Sequence, residues 1–188
     1  MFLAYTPAAN ELLEREPLAL LIGMLLDQQI PMEKAFTSPD VLRERLGGSL
    51  DARTIANYDP AAFEELFRTS PALHRFPAAM AKRVQELARI LVERYDGAAE
   101  AVWSGATSGA ELIERIGQLP GFGAQKAKIF AALLGKQLGV RPDGWREAAG
   151  DYGADGTAKS VADVIDADSL QAVRAYKQQM KAAAKAGS

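Results

Sequence analysis

The sequence predicts an all-α protein. No segment alternates apolar and polar residues for long enough to make a half-buried strand, and residues that start or stop helices recur along the whole chain. The clearest periodic stretch, in the middle of the sequence, repeats its apolar residues at intervals of three and four, the spacing of one helix face.

Thr6-Pro7, Ser38-Pro39 and Asp59-Pro60 each set a capping residue before a proline, and each predicts a helix start, because proline's missing N–H costs nothing in a helix's first turn. Between the first two lies Leu18 to Leu26, apolar apart from Gly23 and about half the ~20 residues that a membrane span needs, so it reads as a buried core helix. The helix predicted from Ser38 runs through Val41, Leu42 and Leu46 to Gly47-Gly48, where glycine takes the left-handed closing conformation. From Pro77 to Tyr95 the apolar positions Met80, Val84, Leu87, Leu91 and Tyr95 face one way, and Lys82, Arg83, Gln85, Glu86 and Arg89 face the other; Asp96-Gly97 ends that helix. Ser108 with Glu111 forms a capping box for a helix reaching Ile116 and stopping at Gly117. Ala124 to Lys136 is the next, closed by a loop holding Gly139, Pro142 and Gly144, and a last helix runs from Ser169 to about Lys185, capped by Asp168.

Composition excludes several classes of chemistry. The 188 residues, 48% hydrophobic and 24% charged, suit one substantial core or two small helical lobes, with no long linker. There is no cysteine, so neither a disulfide nor a thiolate-ligated zinc or iron–sulfur centre is available. A lone histidine, His74, makes a conventional metal hydrolase or serine–histidine pair a poor fit; beside Arg75 and Phe76 it reads as a solvated loop residue. The chain opens Met1-Phe2-Leu3 without a basic leader or cleavage site, and the expectation is a cytoplasmic, membrane-free protein. A net charge of −2 argues against a strongly basic nucleic-acid coat, so any contact with DNA must be local.

One such local site stands out. Leu119-Pro120-Gly121-Phe122-Gly123 joins two helices, and its glycines allow a turn whose backbone can come within contact distance of another molecule. The unpaired amides and positive dipole end of the helix starting at Ala124 point out of the same turn and suit a phosphate oxygen, with Gln125, Lys126 and Lys128 as further donors. The plain alternative is an αα-hairpin that only joins two core helices.

This segment resembles the helix-hairpin-helix motif of the endonuclease III and 3-methyladenine DNA glycosylase superfamily. Two further matches extend the resemblance. Gly139-Val140-Arg141-Pro142-Asp143 is similar to the family's loop and catalytic aspartate, with Asp143 at the family's offset from Gly121. Leu25-Leu26-Asp27-Gln28-Gln29 looks like its Leu-Leu-x-x-Gln segment. The resemblance implies a compact two-lobed helical bundle, a single domain over residues 1–188 with the hairpin at 117–125 and a cleft between lobes. It also implies excision of a damaged or mispaired base from duplex DNA. In that reading the amides of Gly121, Gly123 and Gln125, around Phe122, grip phosphate beside Lys126. Gln29 is the wedge near the extruded nucleotide. The carbonyls of Gly117, Leu119 and Phe122 hold a monovalent cation when DNA is bound.

The chemistry is coherent with those residue types. A stacked base is out of reach, so its nucleotide must be flipped out; the glycosidic bond then breaks with positive charge developing on the sugar, which a carboxylate stabilises while it orients water. Asp143 fits that role if it caps a short helix beginning near Trp145, and it fits equally a structural N-cap in a Pro-Asp-Gly turn. Trp145 reads either as a stacking wall of the base pocket or as a buried anchor, and Asp27 either as a second pocket carboxylate or as a surface group at a helix end. Trp103 and Tyr152 read as packing residues. Where lyase-competent members of the family carry the nucleophilic lysine, this chain has Gln125, and an amide forms no Schiff base. Lys126 is turned about 100° away along the helix. The family's four-cysteine cluster loop is missing as well. The sequence thus predicts a monofunctional glycosylase without an iron–sulfur cluster, binding duplex DNA as a monomer and nucleoid-associated when bound. A non-catalytic helix-hairpin-helix protein that recognises distorted or abasic DNA, and a helical protein-interaction domain, are the competing readings.

Overall fold

The computed structural model describes all residues 1–188 and contains no strand. Its helices are α1 (Pro7–Arg15), α2 (Pro17–Leu26), α3 (Met32–Arg45), α4 (Ala52–Asn57), α5 (Pro60–Arg68), α6 (Pro77–Tyr95), α7 (Ala101–Ser104), α8 (Gly109–Gly117), α9 (Ala124–Gln137), α10 (Trp145–Ala149) and α11 (Ala167–Ala186). Short 3-10 turns at Gly150–Gly153 and Val161–Asp163 lead from α10 into α11.

Local chemistry accounts for most of the boundaries. Thr6 accepts the Ala9 N–H at 3.2 Å and Asp59 accepts the Ala62 N–H at 2.9 Å, each ahead of a proline in the first turn, as expected. Ser108 accepts the Glu111 N–H at 3.1 Å, but the Glu111 carboxylate turns to the N–H and hydroxyl of Thr107, both at 2.8 Å, so only half of the predicted capping box forms. At the end of α6 Asp96 adopts φ 53°, and the Gly97 N–H reaches back to the Leu91 carbonyl at 2.9 Å.

Four sequence expectations give way. Ser38-Pro39 does not begin a helix; it lies inside α3, which starts at Met32. Met32, Ala35, Phe36, Pro39 and Leu42 share one helix face and are all buried, and the burial of that stripe outweighs the break that an interior proline introduces. The last helix begins at Ala167 and is capped by Asp166, which accepts the Ser169 N–H at 2.8 Å, rather than by Asp168. Gln85, assigned to the solvated face of α6, is buried because its amide donates to the carbonyls of Ile55 (3.1 Å) and Tyr58 (2.9 Å) at the end of α4. His74 is not a solvated loop residue either: it is 1% exposed, for a reason given below.

The helices pack as α1–α3, as α4–α6, and as α8–α10 with the two 3-10 turns, and one continuous apolar cluster runs through all of them. α2 is buried along nearly its whole length and lies at the centre. Within the third group, Trp145 lies over Gly135 of α9 so closely that a Cβ at 135 would overlap the indole, which fixes α10 against the C-terminal half of α9. α11 docks mainly through Val173, its one fully buried residue.

Candidate nucleic-acid interface

The turn between α8 and α9 is held from inside. Leu119 and Phe122 are 3% exposed, and the Phe122 ring meets Phe130 edge-on at 5.8 Å. Inside the turn the Leu119 N–H bonds to the Ile116 carbonyl (3.0 Å) and the Phe122 N–H to that of Leu119 (3.1 Å). Gly121 has φ +81°, a conformation open to glycine, and a Cβ placed there would touch Leu25 of α2. With Phe122 buried beneath it, the turn presents backbone to solvent: Gly121, Gly123, Ala124 and Gln125 are exposed, and their N–H groups, like that of Lys126, have no acceptor within the protein. The next amide, Ala127, is the first to enter the helix ladder, bonding to Gly123 at 2.9 Å. A cluster of unpaired donors at the positive end of a helix of this length attracts anionic oxygen. On the other side of the turn the carbonyls of Gly117 and Phe122 accept no main-chain hydrogen bond, and that of Leu119 accepts one.

The C-terminus of α2 faces this turn, and side chains from elsewhere satisfy its carbonyls. Lys126 Nζ donates to Met24 (2.8 Å), Leu25 (3.3 Å) and Asp27 (3.4 Å) across the gap between α9 and α2. The Gln28 amide donates to Leu25 at 2.9 Å. His74 Nε2 lies 3.1 Å from the Leu26 oxygen and 3.0 Å from that of Gln28, while its Nδ1 accepts the Phe76 N–H at 3.0 Å. These partners require the neutral tautomer with its proton on Nε2. Burial pushes the His74 pKa down, with the two carbonyls opposing the shift. Burial likewise lowers the Lys126 pKa, opposed by the charge of Asp27. The segment after α2 is thus clamped at its base, and at its tip Gln29 is exposed with φ 58°, a left-handed conformation that costs a non-glycine residue about 1 kcal/mol or more.

Between α2, α9 and α11 opens a cavity of about 380 Å³, within the range of small-ligand sites, lined among others by Asp27, Gln125, Lys126, Tyr152, Tyr176 and Lys177. A second depression of about 470 Å³ adjoins it, sharing Asp27, Lys177 and Lys181 and reaching Gln29. Gln125 Nε2 donates to the Tyr152 hydroxyl at 2.8 Å across the first cavity's wall. Asp27 is the one carboxylate lining that cavity; burial raises its pKa, partly offset by the nearby charges of Lys177 and Lys126.

The structure therefore gathers Gln125, Lys126 and Asp27 around one cleft, with Gln29 on the adjoining depression and the hairpin amides at the neighbouring start of α9. It does not bring Asp143 there. The Asp143 carbonyl accepts the Gly109 N–H at 2.7 Å, pairing this residue with the start of α8, whereas the hairpin follows the end of α8 about 12 Å further on at 1.5 Å per residue. Arg141 holds the same loop to the Gly135 carbonyl (2.8 Å), about 16 Å along α9 from the turn. Because α9 continues to Gln137, the loop that bears Asp143 leaves from the end of α9 opposite the turn. Its side chain is exposed and makes no capping bond; Gly144 occupies the cap of α10. Trp145 does not line the cleft either: it is 7% exposed, packed on Gly135, with the Arg146 guanidinium 4.6 Å from its ring centre. Trp103 is a packing residue, edge-on to Phe130 at 5.7 Å. Tyr152, by contrast, lines the cleft, as do Lys159, Tyr176 and Lys177, none of which a sequence motif marks. For Lys177 a signal existed: Arg174, Lys177, Lys181 and Lys185 repeat at three- and four-residue spacing.

The chain is all-helical, and its helix-hairpin-helix turn offers free amides beside an inter-helix cleft. The family model described as HhH-GPD superfamily base excision DNA repair protein matches residues 22–186, and the chain belongs to that superfamily. Searches of curated proteins and of solved structures returned no match. Membership places the protein in base excision DNA repair, among proteins that are generally DNA glycosylases. No helix is long and apolar enough to cross a membrane. No three His, Asp or Glu side chains gather as a metal-binding group, and the sequence has no cysteine.

Proposed function

We propose that the protein is a monofunctional DNA glycosylase that removes a damaged or mispaired base from duplex DNA through the cleft between α2, α9 and α11. The observation that carries this reading is the cluster of unpaired amides at Gly121 and from Gly123 to Lys126, next to a cavity with Asp27 in its wall. The amides take a phosphate oxygen, Gln29 fills the gap left in the duplex, and the everted nucleotide enters the cavity. Asp27 then stands where the positive charge on the sugar develops, and its raised pKa makes it a stronger base toward the attacking water than an exposed carboxylate. This assignment replaces Asp143, which the sequence motif suggested. The carbonyls of Gly117, Leu119 and Phe122 have lone pairs to spare for a monovalent cation bridging to DNA phosphate.

The absence of a lyase step rests on two side chains. Gln125 stands at the nucleophile's position. Lys126 holds its Nζ on the carbonyls of Met24, Leu25 and Asp27, so forming a Schiff base would require it to give up those bonds, although burial lowers its pKa. The test is a panel of duplexes carrying deaminated, alkylated or oxidised bases, assayed for base release with alkaline cleavage of the resulting abasic sites. Release from at least one duplex, with no borohydride-trapped adduct on an abasic duplex, is expected. Binding without release from any lesion would favour a non-catalytic sensor of distorted DNA, and a robust adduct would refute the monofunctional assignment.

A further inference from the structure

The face that α11 turns toward the protein changes character along its length. Leu170 and Val173 begin it as an apolar seam packed on the core, and Lys177, Lys181 and Lys185 occupy the positions where that seam should continue at i+4 spacing. A helix resting on a protein normally turns apolar residues inward and cations outward. Here Lys177 and Lys181, both exposed, line the two adjoining depressions of the cleft rather than a packed surface.

The rest of the cleft adds to the same sign. Lys126 and Lys159 line the first depression, beside the free-amide end of α9, against Asp27 in both depressions and Glu33 in the second. Glu33 is already paired with Arg174. Lys159 reaches only the exposed Asp151, at 3.8 Å. Every charged residue after Asp168 is basic, so α11 is a local cationic wall on a chain of net charge −2. A cavity so lined selects an anion, and one that spans both depressions is an extended one.

We propose that α11 is a second phosphate-gripping wall, with Lys177 and Lys181 holding the backbone of the DNA strand on the side of the everted nucleotide opposite the hairpin. The strand is clamped between backbone amides on α9 and ammonium groups on α11. This inference rests on the reading of the cleft as a DNA site, and the experiment separates the two. Affinity for a short duplex carrying an abasic-site analogue is measured by fluorescence anisotropy across a salt series for the wild type, Lys177→Gln/Lys181→Gln and Gly123→Arg. Both lysines are exposed, so the double variant keeps its fold, which its circular dichroism and melting temperature verify.

Each phosphate that a lysine neutralises steepens the slope of log K against log salt by about 0.9, so the double variant is expected to show a slope shallower by roughly 2 and to bind about tenfold or more weakly at moderate salt. Wild-type affinity and slope in the double variant, with binding abolished by Gly123→Arg, would overturn the role of α11 and leave the hairpin's intact. Absence of salt-sensitive binding in the wild type would overturn both.

Discussion

Two side chains around the end of α2 carry a measurable signature of their surroundings. Burial raises the Asp27 pKa, so the folded protein holds that proton more tightly than the unfolded chain does. The carboxylate therefore costs stability at neutral pH, and the cost disappears as pH falls through the raised folded value toward the ordinary 3.8. Asp27→Asn is expected to melt higher than the wild type at pH 7.5, with the difference closing as pH approaches 4; equal melting temperatures at both pH values would show that the group is freely solvated. His74 has the opposite sense. Its lowered pKa means that its contribution is complete above the unfolded value of 6.5 and declines as pH falls below it, until the folded form also takes the proton. Because it is the only histidine, its imidazole resonances are unambiguous in a proton–carbon NMR titration, and a midpoint below 6.5 is expected. A midpoint at or above 6.5 would contradict the burial of the ring that lowers the value. The sequence alone could not disclose this role, since partners 48 and 46 residues away leave no local pattern.

At the scale of elements, local signals placed α1, α5, α6, α8 and α9 well, because caps, prolines and apolar spacing all agreed there. They failed at Ser38-Pro39, where a strong start signal fell inside a stripe whose burial mattered more. Asp143 is a different case. Its offset in sequence matched a family motif, yet where a residue lands depends on how far the preceding helix runs, and α9 runs far enough to carry the loop away from the turn. The hairpin itself was legible because its chemistry is carried by adjacent residues. Gly123 offers the cleanest probe of it: its φ of −70° suits any residue, and nothing lies within 4 Å of a Cβ placed there. Gly123→Arg should fold normally and abolish duplex binding, as salt-dependent anisotropy would show; retained binding would mean that the amides are not the grip. Gly135→Ala tests the docking of α10 instead. A methyl there overlaps the Trp145 ring, and overpacking of about 1–3 kcal/mol should lower the melting temperature by several degrees. An unchanged melt would show that the indole moves aside freely.

For the whole molecule, the small net charge conceals a local concentration of cations, since Lys126, Lys159, Lys177 and Lys181 line one cleft against Asp27 and Glu33. The Lys126 bonds to α2 join the hairpin helix to the segment bearing Asp27 and Gln29, so the phosphate grip and the carboxylate move as one piece. Such coupling matters for a reaction in which a flipped nucleotide must meet a fixed carboxylate, because misplacement by about 1 Å can cost 10²-fold in rate. The measurement that bears most directly on this account is single-turnover base release from the best duplex substrate by the wild type, Asp27→Asn and Asp143→Asn. The account predicts that Asp27→Asn loses about 10²-fold or more and that Asp143→Asn stays within about twofold of the wild type, being outside the cleft. Full activity in Asp27→Asn together with a dead Asp143→Asn would contradict it.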